Sequence, residues 1–213
     1  MRGFWSLIIT QFEGAFNDNA LRTLVLYIGL NMTLSPRLHG ALASLTAALF
    51  ALPFIVFSMA GGFLADRFSK RTVTVWVKMW EVLIMTFATL GLALRSLPLG
   101  LAAIFCMGVH SAIFGPSKYG MLPELLPEKR LSWGNGILEL GTWLAIILGI
   151  MAGAKLFEDF KGRQVWSGTI LVALALAGLA FSLGITRLPA ADRARRFRAN
   201  FLKDLWAQIQ MMR

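Results

Sequence analysis

The chain has 213 residues, of which 57% are apolar and 15% charged, with a formal net charge of +10 and a mean hydropathy of +0.65. A soluble domain carries about 25% charged residues, which argues against an ordinary soluble enzyme, and the low charge with high apolar content excludes a disordered chain. The single cysteine, Cys106, excludes a disulfide scaffold.

A membrane-spanning helix takes about 20 residues, and six of them with short loops fill most of this length. The expected fold is an all-α membrane protein, with spans over 4–30, 39–65, 72–94, 97–118, 131–155 and 165–187. Three stretches, Leu38–Ala65, Ser96–Ser117 and Gln164–Thr186, hold no Asp, Glu, Lys or Arg. The first span carries Glu13, Asp18 and Arg22, the third Lys78 and Glu81, and the fifth Glu139. Lipid offers no partner for backbone N–H and C=O, so each segment is expected to be helical. The polar run Gln11, Glu13, Asn17, Asp18, Asn19 argues against reading the first as a cleaved signal peptide.

With the N-terminus inside, fourteen of the 21 Lys and Arg fall in inside segments and five in outside ones. That bias predicts cytoplasmic termini, and it accounts for the positive charge without a nucleic-acid partner. Residues 189–213 read differently. Phe197, Phe201, Leu205, Ile209 and Met212 recur at helical spacing beside Arg193, Arg195, Arg196, Arg198 and Lys203. This predicts a basic amphipathic helix, lying either on an anionic leaflet or against another domain. The domain expectation is a six-helix unit over 1–188 followed by this linker helix.

Between the second and third spans runs Gly61-Gly62-Phe63-Leu64-Ala65-Asp66-Arg67-Phe68-Ser69-Lys70-Arg71. It resembles the cytoplasmic loop signature of the major facilitator superfamily, G-x-L-a-D-R-x-x-[KR]-[KR], met here by Gly62, Leu64, Asp66, Arg67, Lys70 and Arg71. The resemblance implies a conformational latch. Glycines here let another helix come close. Three further runs narrow it: Gln11-Phe12-Glu13-Gly14-Ala15-Phe16-Asn17-Asp18-Asn19-Ala20, Pro116-Ser117-Lys118-Tyr119-Gly120-Met121-Leu122-Pro123-Glu124-Leu125, and Asn135-Gly136-Ile137-Leu138-Glu139. Together they are similar to the bacterial lysophospholipid transporter family, some members of which are fused to an acyltransferase.

The resemblance implies a secondary transporter that moves lysophospholipid across the bacterial inner membrane toward the cytoplasmic leaflet. Members have twelve spans, so this chain is expected to be an N-terminal half whose C-terminal six-helix half lies outside it. The alternatives are a half-transporter working as a dimer, a facilitator for another solute or drug, and a membrane domain presenting lysolipid to a fused acyltransferase. No cofactor or metal is expected, and no hydrolase, metalloprotease or phosphate-loop motif is found.

Charge deep in lipid is costly and marks function by default. At 1.5 Å per residue, Glu13 lies ~14 Å and Asp18 ~21 Å into the first span. Asp18, flanked by Asn17 and Asn19, is the candidate for a coupling ion or a substrate charge, against an alternative in which it simply pairs with Arg22 one turn on. Glu139 is expected to line the cavity or to pair with Lys118. Lys118 is expected to meet a phosphate headgroup or to anchor the span at the interface. Lys78 and Glu81 read as a structural i, i+3 pair with Lys78 snorkelling to the cytoplasm. His110 reads as a hydrogen-bonded packing residue, against an alternative as a proton relay.

Overall fold

The computed structural model describes residues 2–190 and Asp192. Within them the chain forms six α-helices: α1 (Arg2–Leu30), α2 (Pro36–Arg67), α3 (Lys70–Ala93), α4 (Leu97–Leu125), α5 (Leu131–Asp159) and α6 (Val165–Leu183), with one 3-10 turn at Glu128–Arg130. The five from α2 to α6 are long and apolar enough to cross a membrane. At 29 residues, α1 matches them in length, and its charges set it apart. The expected linker helix over 189–213 lies outside the described residues, apart from Pro189, Ala190 and Asp192.

Helix limits follow local chemistry. Helix α2 begins three residues earlier than expected because Ser35 accepts from the Leu38 N–H and Pro36 takes the first helical position. Helix α4 runs past the expected limit of 118, through Pro116 and Pro123, and stops at Leu126, whose extended backbone precedes Pro127. Helix α6 ends at Leu183 rather than 187. The Arg71 guanidinium takes its last carbonyls there, at 3.0 Å from Leu183 O and 2.8 Å from Ile185 O. A helix end leaves such carbonyls without partners, and a residue of the loop motif supplies one.

Helix α1 touches α5, α6, α4 and α2, while α2 packs on α4 and α3 packs on α4 and α6. The α1–α5 contact depends on small residues. A Cβ at Gly149 would stand 2.5 Å from the Phe16 carbonyl oxygen, and one at Gly153 would strike the Ala20 carbonyl one turn along α1. Close backbone approach of this kind is how helices associate in lipid, where no hydrophobic effect drives them together. Gly153→Ala is therefore expected to destabilise the bundle by about 1–3 kcal/mol. Gly40→Ala, where a Cβ meets nothing within 4 Å, is expected to be neutral or mildly stabilising. Thermal melting of the two purified variants checks this; equal melting points would refute the close-packing account.

The interior has two apolar clusters with a polar layer between them. One gathers Leu21, Leu24, Leu42, Met85, Met107 and Leu171. The other gathers Phe4, Leu7, Val73, Val77, Met121 and Leu138. Along α1 they are separated by Thr10, Gln11, Glu13, Asn17, Asp18 and Asn19, all buried. The outer faces of α2 and α5 stay apolar and exposed, for example at Ile55, Val56, Trp143 and Met151.

Candidate functional site

The polar layer divides into two groups around α1. Glu13 and Asn17 are one turn apart and point toward α3 and α6. Lys78 of α3 ion-pairs with both Glu13 and Glu81. Asn17 Nδ2 donates to Glu13 Oε1 at 2.7 Å, to Glu81 Oε1 at 3.2 Å and to the Leu171 carbonyl of α6 at 3.2 Å. Opposite them α6 has Gly178, where a Cβ would collide with the Glu13 carboxylate. The glycine makes room for the ions.

Lys78 and Glu81 have no solvent exposure at all. The expected pairing of these two forms, but the expected snorkelling of Lys78 does not. Glu13 reaches across from α1 and holds the ammonium inside, so the stem has no reason to turn outward. His110 is buried among polar neighbours. Its Nε2 lies 3.2 Å from Glu81 Oε2, and its Nδ1 lies 3.3 Å from Ser111 Oγ.

Asp18 faces the other way, toward α4, and accepts from Ser111 Oγ at 2.6 Å. The alternative pairing of Asp18 with Arg22 does not form. Arg22 instead donates to Asn19 Oδ1 at 2.9 Å and stacks its guanidinium over Phe50, 5.5 Å from the ring centre. Asn19 in turn donates to the Ala15 carbonyl one turn back. Arg22 and Asn19 thus satisfy each other, and Asp18 keeps one buried carboxylate oxygen without a partner.

Further along, Tyr119 rather than Lys118 donates to Glu139, at 2.6 Å. Lys118 places its ammonium 4.8 Å from the centre of the Tyr119 ring, a cation–π contact that leaves its N–H donors unspent. Gln11 donates to Thr142 at 3.1 Å, tying α1 to the Glu139 side of α5. Asp18, Ser111, Lys118, Tyr119 and Glu139 thus extend from α1 over α4 to α5. They set two carboxylates and an ammonium along one polar strip.

The loop motif fastens three helix ends. Lys70 ion-pairs with Glu124 at the end of α4. Arg71 caps α6 as described. Arg67 lies over the Phe63 and Phe68 rings, and Asp66 accepts through its carbonyl from the Asp192 N–H at 2.9 Å. Gly61 makes the close helix approach, with a Cβ there 2.8 Å from the Ala112 carbonyl oxygen. At Gly62 a Cβ meets nothing within 4 Å. The expectation that both glycines serve close packing holds for Gly61 alone, because only that one faces α4.

A concavity of about 360 Å³ opens at the other end of the bundle. Val25, Ile28, Leu92 and Phe157 line its apolar part, and Arg95, Lys161 and Arg163 line its polar part.

A family model described as Major Facilitator Superfamily matches residues 7–210. The chain is similar to the lysophospholipid transporter LplT of Escherichia coli (strain SE11), with 32% identity over 180 residues, covering 84% of this chain and 41% of that protein. It is 28% identical to the protein of the same name from Photorhabdus laumondii, over 96% of this chain and 47% of that one. The chain spans less than half the length of the curated relatives it matches. Among solved structures, a crystal structure of the peptide transporter POT in complex with sulfate aligns with a TM-score of 0.72 at 16% identity, over 99% of this chain and 44% of that one. That likeness is one of fold.

Proposed function

The chain belongs to the Major Facilitator Superfamily, and from this we propose that it is the N-terminal six-helix half of a lysophospholipid transporter, with α1 as the sixth span. The observation that supports the substrate is the 32% identity to a lysophospholipid transporter over most of the chain. The site has matching chemistry. A lysolipid needs apolar walls for one acyl chain and polar partners for its headgroup. The polar layer lies between two apolar clusters. Lys118 suits the phosphate, while Asp18 and Glu139 suit the cationic end of a headgroup or a coupling ion.

In this reading the half is a multi-pass domain of the bacterial inner membrane over 1–188, with both ends cytoplasmic and residues 189–213 as a linker. A second six-helix half faces it, and the two rock about a site near the midplane. An acyltransferase, fused or separate, consumes the lipid on the cytoplasmic side. Uptake of labelled lysophospholipid into vesicles from cells carrying the whole natural protein tests this. No uptake, with export of an unrelated compound by the same vesicles, would overturn it.

The loop then works as a latch through Lys70 and Glu124. A pair worth about 1 kcal/mol shifts a two-state balance about fivefold. Glu124→Gln is expected to change the exchange rate by that order, and the swapped pair Lys70→Glu with Glu124→Lys to restore it. Exchange assays on the single and double variants decide the point, since failure of the swap to rescue would remove the ion pair from the latch.

A further inference from the structure

We propose that the concavity at the end of the bundle away from the loop motif is a binding site for an anionic phospholipid, held there and not transported, with its phosphate among Arg95, Lys161 and Arg163 and its glycerol end against Val25, Ile28 and Leu92. Only the orientation is taken from the transport reading, and it puts this end in the outer leaflet.

Two loops build the rim. Helix α3 ends in a turn where the Arg95 N–H bonds the Leu92 carbonyl at 3.2 Å and the Ser96 N–H bonds the Gly91 carbonyl at 2.9 Å. Such a turn needs a left-handed residue just past the helix, and glycine is the usual choice. Here the residue is Arg95, with a φ of 52°. A side chain is strained in that conformation, and strain of this kind gathers at sites that use it. The turn is also tight, since a Cβ at Gly91 would stand 2.9 Å from Leu99 Cβ. Arg95 donates across to the Gly162 carbonyl at 3.5 Å. That contact sets the α3–α4 turn beside the α5–α6 loop, which adds Lys161 and Arg163 to the rim.

Charge selects the ligand. Among the described residues no Asp or Glu lines the concavity. The nearest acids in sequence are Glu158 and Asp159, and Asp159 pairs with Lys155 at 3.0 Å. None of the three rim cations forms an ion pair with a described carboxylate. Topology does not account for them, because outer loops are the ones poor in Lys and Arg. Of the five cations assigned to that side (Arg37, Arg95, Lys155, Lys161 and Arg163), three gather at this one mouth. A headgroup ammonium meets no acid here, unlike on the strip from Asp18 to Glu139. A phosphate with no balancing cation is the group that fits.

The floor makes that phosphate a lipid's. Beneath the rim lie Val25, Ile28, Leu92, Leu97 and Phe157. Trp166, exposed in the first turn of α6, marks this level as the membrane–water interface. A volume of about 360 Å³ is at the small end for ligand cavities; it takes a headgroup and leaves the two acyl chains in the bilayer. The pocket is also shut off from the polar layer. Along α1 the order is Val25 in the pocket, Leu21 and Leu24 in the apolar cluster, then Asp18. Along α3 it is Leu92, then Met85 and Ala88, then Glu81. Along α4 it is Leu97, then Ile104 and Met107, then His110. A headgroup would have to cross that packed layer to reach Asp18. The lipid therefore stays, as a brace between the two loops.

The tests use the whole natural protein purified in detergent. Added dioleoylphosphatidylglycerol is expected to raise its melting temperature, and dioleoylphosphatidylethanolamine and inorganic phosphate to raise it much less. Each cation beside an anionic headgroup is worth roughly fivefold in affinity, so Arg95→Gln, Lys161→Gln and Arg163→Gln together are expected to weaken phosphatidylglycerol binding on the order of a hundredfold. Arg37→Gln, away from the rim, is expected to leave it unchanged. Arg95→Gly separates ligand from fold. It relieves the strained φ, so it is expected to melt at or above wild type without lipid and yet to gain less from phosphatidylglycerol. Equal shifts from the two lipids would remove the charge selection, and an equal shift from phosphate would make this a site for a soluble anion. A full phosphatidylglycerol response in the triple variant or in Arg95→Gly would put the lipid elsewhere. Each of these overturns the proposal. So does loss of lysolipid uptake in a triple variant that melts like wild type, which would place the pocket on the transport route. A wild type that responds to phosphatidylglycerol but takes up no lysolipid would uphold the lipid site and count against the substrate reading alone.

Discussion

Lys78→Met is expected to be the most destabilising single substitution in the bundle. Lys78 is the ammonium shared by Glu13 and Glu81, and it has no solvent exposure. Methionine matches its stem and removes its charge. Two carboxylates then face each other in the interior with only Asn17 Nδ2 and His110 at hand. Breaking a buried pair in this way costs about 3–5 kcal/mol, a large share of the 5–15 kcal/mol that holds an ordinary domain together. The expected result is loss of a monodisperse peak in detergent and a large drop in melting temperature. The triple variant Glu13→Gln, Lys78→Met, Glu81→Leu removes all the ions together and is expected to recover much of the loss, because replacing a whole buried ion group by uncharged residues is often neutral. A triple variant as unstable as Lys78→Met would show that shape rather than charge decides stability here.

How much of this was legible in the sequence depended on whether partners were local. Low-charge stretches located the six helices, with α4 running on to Leu125 past the expected 118, since the rule against unpaired backbone in lipid acts on each segment separately. The loop motif was legible for the same reason, although not the division of labour inside it. That Arg71 caps α6 and that Gly61 rather than Gly62 meets α4 depend on which helix lies opposite. Local reasoning misled where a nearer partner outcompeted the expected one. Asp18 and Arg22 are correctly spaced for a pair, yet Arg22 has Asn19 and the Phe50 face available without leaving its own side of α1. Lys78 was expected to reach water because nothing along α3 alone explains keeping it inside. The reason is Glu13, 65 residues away in the chain. A signal did exist: three helices each carried charge at similar depth, and charges in lipid seek one another.

Asp18→Asn is expected to abolish transport and leave the fold intact. The change keeps the side chain's size and its acceptor toward Ser111, whose hydroxyl lies 2.6 Å from Asp18 Oδ2. It adds donors near the carboxylate oxygen that now lacks a partner, so little stability is at stake. What is lost is the charge and the capacity to take a proton. Asp18 stands where the Glu13–Lys78–Glu81 group and the Lys118–Tyr119–Glu139 group meet, and no other carboxylate among the described residues touches Ser111. If Asp18 answers the headgroup or a coupling ion, the asparagine variant should insert, purify and melt like wild type while lysolipid uptake falls to background. The comparison with Lys78→Met is informative. One substitution removes a charge that holds helices together, and the other removes a charge that the helices hold in place. Uptake that persists in Asp18→Asn at unchanged stability would remove Asp18 from the mechanism and shift the search to Lys118 and Glu139.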